Sequence, residues 1–146
     1  MLALPFTQIN LTAGGNVEPC RFIKQSALDT GIKCAATSDR MIGISQGFSD
    51  RFPNDQTSTD YIAVSGRALP YHGPMQICDL ELGGTTTTTV AAGALLSTDS
   101  VGRGITASVS NSSTAVWVGA IALRGSTTAL GEKIPVAVVQ PFQYVA

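Results

Sequence analysis

The feature that most constrains this chain is the near absence of helical periodicity. No twelve-residue window places apolar side chains at i, i+3, i+4 and i+7 between capping residues. Short runs rich in Val, Ile, Thr and aromatics recur instead, punctuated by Gly, Asn, Asp, Ser and Pro. This pattern predicts strands over 7–12, 20–24, 31–36, 41–45, 61–69, 75–82, 86–91, 104–109, 116–123 and 134–139. Pro135 and Pro141 cannot donate ladder hydrogen bonds, so the last strand is expected at an edge or broken there. The fold class expected is all-β, a small β-barrel or sandwich.

An internal echo runs through these strands. Gly31-Ile-Lys-Cys-Ala-Ala36, Met41-Ile-Gly-Ile44 and Tyr61-Ile-Ala-Val-Ser-Gly66 have counterparts in Gly104-Ile-Thr-Ala-Ser-Val109, Val118-Gly-Ala-Ile-Ala122 and Lys133-Ile-Pro-Val-Ala-Val138. The offsets are 73 from Gly31 to Gly104, 76 from Gly43 to Gly119 and 72 from Ile62 to Ile134. Such a repeat (about 16–70 and 89–146) would close into one barrel with pseudo-twofold character, by duplication or by convergent β patterning. Residues 1–15, with the Gly14-Gly15 break, are expected to form an extended N-terminal arm, leaving 16–146 as a single β-barrel domain. The polar stretch 46–60 reads as a long loop.

The 146 residues suit one domain, and 44% hydrophobic residues supply ample core. Only 13% are charged, about half of the roughly 25% usual in soluble domains. A net charge of −1 leaves no basic stripe for phosphates, so no nucleic-acid partner is expected. The longest apolar run, 115–123, has nine residues, whereas a spanning helix needs about twenty, so no membrane partner is expected either.

Reactive constellations are sparse. The one histidine, His72, lies in the turn-like Pro70-Tyr-His-Gly-Pro74, and no Gly-x-Ser-x-Gly elbow accompanies it. Asp79 and Glu81 share a strand face beside Gly83-Gly84, where solvated acids are the ordinary case. Cys20, Cys34 and Cys78 are odd in number and widely spaced, which suits reduced, buried thiols better than a disulfide frame or a metal site. No catalytic residue, cofactor or metal is therefore expected, and the chain reads as a non-enzyme.

Lys and Glu are depleted at interface centres, and this chain has three of each. The pattern Gly93-Ala-Leu-Leu96, Gly104-Ile-Thr-Ala107, Trp117-Val-Gly-Ala-Ile-Ala122 and Ile134-Pro-Val-Ala-Val138, with its weaker copy from Gly31 to Gly66, resembles tailed-phage head decoration (capsid cement) proteins. The resemblance implies a β-tulip-like barrel and a structural virion protein, trimeric, on the outer surface of an icosahedral phage capsid in the virion, assembled in the host cytoplasm. There it would cement neighbouring major capsid protein subunits. On this reading Phe6, Ile9 and Leu11 are capsid-contact candidates on the arm. Val116, Val118, Val136 and Val138 are candidates for the homotrimer interface, because both faces of 134–139 are apolar. Two alternatives remain: another virion module (head fibre, tail or adhesin component) and a small-ligand-binding β-barrel.

Overall fold

A computed structural model describes residues 10–46, 61–108 and 115–144. All regular structure among them is β, in two five-stranded sheets. The first contains β1 (Thr12–Ala13), β2 (Phe22–Ala27), β3 (Thr30–Lys33), β4 (Gly43–Ser45) and β5 (Tyr71–His72), in the order β1-β3-β2-β4-β5. The second contains β6 (Ile77–Glu81), β7 (Leu95–Thr98), β8 (Gly104–Thr106), β9 (Val116–Ala122) and β10 (Lys133–Tyr144), in the order β6-β10-β9-β7-β8.

The two sheets share one plan of pairing. Ile23↔Lys33 and Gln25↔Gly31 in the β2–β3 hairpin match Leu96↔Thr106 and Thr98↔Gly104 in the β7–β8 hairpin. Phe22↔Ile44 and Ile44↔His72 match Leu95↔Ile121 and Ile121↔Ala137. Each sheet also curls back on itself. Ala13 donates to the Arg67 carbonyl at 2.7 Å and Gly14 to Gly31 at 2.9 Å; Leu82 donates to Glu132 at 2.7 Å and Gly83 to Gly104 at 2.8 Å. Left-handed backbone recurs at matching turns, at Cys20 (φ 58°) and Gly93 (φ 83°), and at Gly66 (φ 82°) and Gly131 (φ 80°).

These registers revise the echo read from the sequence. Gly31 does stand opposite Gly104 in the repeat, but Gly43 matches Ala120, since each pairs with the core residue of its central strand, Ile23 or Leu96. Ile134 matches Leu69, not Ile62: Ile134 pairs Leu80, and Leu69 donates to the equivalent Leu11 carbonyl.

Other expectations also shift. Stretch 61–69 makes only isolated bridges at Ala63 and Ala68, and 86–91 only one at Val90, while a strand forms at Tyr71–His72. The last strand runs through both prolines in the interior of its sheet, between β6 and β9. Pro135 stands one residue past the end of β9, where its carbonyl still accepts from Leu123, and Pro141 falls in the register shift between Val138 and Phe142.

Residues 10–15, expected in a free arm, belong to the fold. Thr12 and Ala13 pair in parallel with Thr30 and Gly31, and Leu11 and Ala13 are buried with Val17, Ile23, Ala63 and Leu69 in the first half's core. A second core joins Leu80, Leu82, Leu96, Ile134 and Val136 of the second half to Phe22, Cys34, Met41 and Ile44 of the first. Phe22 seats its ring against Gly119, where an added Cβ would stand 3.0 Å from it. The halves are further joined by the buried Arg21–Glu81 pair at 3.1 Å and by Arg40 stacked 5.4 Å from the Trp117 ring centre. The loop 46–60 lies outside the described residues apart from Gln46.

Candidate interaction surface

The four valines proposed for subunit contact are turned into the molecule. Val118 and Val136 are fully buried, Val138 and Val116 nearly so, within this one chain. Alternation explains this correction: Ile134, Val136 and Val138 point into the second core, and Pro135, Ala137 and Val139 point outward, half-buried. Of the capsid-contact candidates, Leu11 is a core residue, 4% exposed, and Phe6 and Ile9 lie outside the described residues.

Apolar side chains do reach the surface elsewhere. β6 is the outermost strand of its sheet and begins after a tight turn, in which Gly73 donates to the Gln76 side-chain carbonyl at 2.8 Å. Met75 closes that turn in left-handed backbone (φ 72°), donating its N–H to Val138 at 2.9 Å. Its side chain is 78% exposed, and Ile77 two residues on is 68% exposed. A long side chain held at positive φ costs on the order of 1–3 kcal/mol, and within this chain Met75 gains little burial in return. Further along β10, Phe142 and Tyr144 are also exposed. The signal for Ile77 was present in the alternation, because it shares its strand face with Asp79 and Glu81 while Leu80 takes the other. Nothing local marked Met75, whose left-handed backbone is set by the turn.

Across the sheet from Ile77 the outward row continues through Ala137, Ile121 and Leu95, paired strand to strand. No charge interrupts it. Charges gather elsewhere in pairs: Lys24–Asp39 at 2.7 Å, Lys33–Glu18 at 2.8 Å, Arg103–Asp99 at 2.8 Å and Arg124–Glu132 at 3.3 Å.

His72 is half-buried on β5, paired through its backbone with Ile44. Among the described residues no three His, Cys, Asp or Glu side chains stand together as a metal cage. All three cysteines are free. Burial is the main cause that pushes the Cys20 thiol up to about 11 and those of Cys34 and Cys78 up to about 12. A shallow hollow between Thr89–Ala91 and 125–128 includes Glu132, whose carboxylate already accepts from the Ser126 hydroxyl and the Arg124 guanidinium. Among the described residues, buried apolar side chains form two clusters, one around Leu11, Val17 and Ile23 and one around Phe22, Leu80 and Leu96. Among the described residues, no helix is long and apolar enough to cross a membrane.

No family model and no curated protein matches the chain. Among solved structures, it is similar to the N-terminal base of the head fibre protein gp8.5 of bacteriophage phi29, with 16% identity over 90% of this chain and 92% of that one, at a TM-score of 0.43.

Proposed function

We propose that this chain is a structural virion protein that binds the outside of an icosahedral phage capsid and cements neighbouring major capsid protein subunits, self-associated as a homotrimer. The observation that carries the reading is the apolar outer edge at Met75 and Ile77. There a strained, solvent-facing methionine opens the outermost strand of a sheet whose outward face bears few charges. An exposed strand edge is a template for strand addition, in which backbone hydrogen bonds supply affinity and flanking side chains supply specificity. A capsid subunit covering this edge would bury Met75 and Ile77 and compensate the cost of the turn. The sparse charge of the whole chain and its resemblance to cement proteins support the same reading.

The test mixes purified protein with undecorated phage capsid shells, sediments them, and compares Met75→Gly with the parent protein. Glycine accepts the left-handed turn without strain, so the variant should fold at least as well yet bind the shells more weakly. Decorated shells should also withstand heat or denaturant better than bare ones. Protein that stays in the supernatant, or equal binding by Met75→Gly, would reject the reading of this edge.

A further inference from the structure

We propose that the outward row Ala107–Leu95–Ile121 of the second sheet docks a second copy of this chain, repeating between molecules the contact that the two halves make within one. The inference deepens the self-association proposed above and rests on it for the existence of a second copy in the assembly.

The argument is positional. In the first half the row Cys34–Phe22–Ile44 is defined by Cys34 N–H donating to the Phe22 carbonyl at 2.9 Å and by the pairing of Phe22 with Ile44. In the second half Ala107 N–H donates to the Leu95 carbonyl at 2.8 Å, and Leu95 pairs with Ile121. The rows are equivalent residue by residue. Phe22 points away from its own barrel, whose interior takes its neighbour Ile23, yet Cys34, Phe22 and Ile44 are all 0% exposed. The second half covers them. Gly119 lies against the Phe22 ring, and Gly102, in the loop joining β7 to β8, accepts the Phe22 N–H at 2.7 Å.

Ala107, Leu95 and Ile121 hold the same places in the second half and are only half-buried. The row runs on through Ala137 to the exposed Ile77. All five are apolar, as a face awaiting cover should be. The covering element is also present twice. Between the equivalent pairs Gln25↔Gly31 and Thr98↔Gly104 each hairpin has five residues, and those of the first half carry Leu28 at the tip, 88% exposed. A second copy would lay that loop, with Leu28, over Leu95 and Ile121. The contact is heterologous, head to tail, and so either closes into a ring or grows without limit; closure at three copies would alternate three half-to-half contacts within chains with three between them.

Cross-linking reads the geometry directly. Leu28→Cys and Leu95→Cys are made separately in the full chain, mixed, and oxidised. The native thiols are buried or half-buried and held protonated, so they contribute little background. The mixture should give a disulfide-linked pair containing one chain of each variant, and neither variant alone should give that yield. In parallel, light scattering of Leu28→Asp should show the mass falling to a single 15.1 kDa chain, with its melting unchanged because Leu28 makes almost no contact in the chain itself. No mixed pair, or an oligomer untouched by Leu28→Asp, overturns this docking mode. Shell binding measured on the same variants separates the two proposals: an unmoved oligomer that still decorates shells sinks this face alone, and an oligomer dispersed by Leu28→Asp that never bound shells sinks only the capsid role.

Discussion

Phe22→Ala should destabilise the whole molecule, and Gly119→Ala should repair part of the damage. The Phe22 ring is fully buried where the two halves meet, with Gly119 and Met41 against it. Removing such a ring costs about 3–5 kcal/mol, a large share of the roughly 5–15 kcal/mol that holds a domain together. At this chain length the melting temperature should fall by roughly 10–20 °C. Alone, Gly119→Ala adds a methyl 3.0 Å from the ring and 3.2 Å from Cβ and Cγ of Met41. Crowding of that kind costs about 1–3 kcal/mol, reduced by the roughly 0.4–1 kcal/mol that a Gly→Ala change takes from the unfolded chain's entropy. In the Phe22→Ala background the ring is gone, so the methyl enters the void and only the entropic gain remains. The double variant should therefore be more stable than the sum of single effects by the crowding cost, about 1–3 kcal/mol, inside the range for residues in contact. Urea unfolding of all four proteins at one low concentration measures the cycle. Additivity within about 0.5 kcal/mol would refute the contact. Two resolved transitions, only one of them shifted by Phe22→Ala, would refute the shared core.

Leu11→Ala should cost about 2–4 kcal/mol, because Leu11 is a buried member of the first core and not part of a loose arm; an unchanged thermal melt would contradict that placement. For Asp39, burial raises the carboxyl, but the Lys24 ammonium at 2.7 Å and the N–H groups of Ala35 and Ala36 outweigh it and hold the group below its ordinary 3.8. A depressed folded value gives stability that is present above the unfolded value and lost as pH falls through the folded one. Asp39→Asn should thus be the less stable protein at about pH 7, with the gap closing towards about pH 3, and a gap constant across that range in denaturant titrations would sink the assignment. With their thiols raised to about 11 (Cys20) and about 12 (Cys34, Cys78), all three cysteines should resist iodoacetamide at about pH 8 in the native protein and react after unfolding, as counted by mass spectrometry; rapid native alkylation of Cys34 would contradict its burial.

Alternation along a strand states which side chains share a face, and it says nothing of what covers that face. This division separates what was legible here from what was not. The β class, strands near 20–24, 31–36 and 104–109 and the shared face of Asp79 and Glu81 follow from period-two patterning, whereas β7 at Leu95–Thr98 falls outside the strands it predicts. Strands as short as Thr12–Ala13 and Tyr71–His72 have no period to read, and they exist because Leu11 and Tyr71 are drawn into a core assembled by distant residues. Apolar residues on both faces of 134–139 implied cover on both sides; the chain's own second core covers Val136 and Val138, and Pro135, Ala137 and Val139 are half-buried. The same ambiguity sits at the centre of the molecule. Cys34–Phe22–Ile44 and Ala107–Leu95–Ile121 obey one alternation, and only the tertiary arrangement buries the first row and leaves the second partly open. Its trace in the sequence is a pair of glycines: Gly102 and Gly119 lack side chains where Phe22 must be approached, and a Cβ at Gly119 would crowd its ring at 3.0 Å. A docking face on the second half thus requires an approaching surface that fits Leu95 and Ile121 as those glycines fit Phe22. The β2–β3 loop meets that condition differently, by presenting Leu28 to smaller side chains, so the contact between copies would be the more loosely packed of the two and the one able to open during assembly.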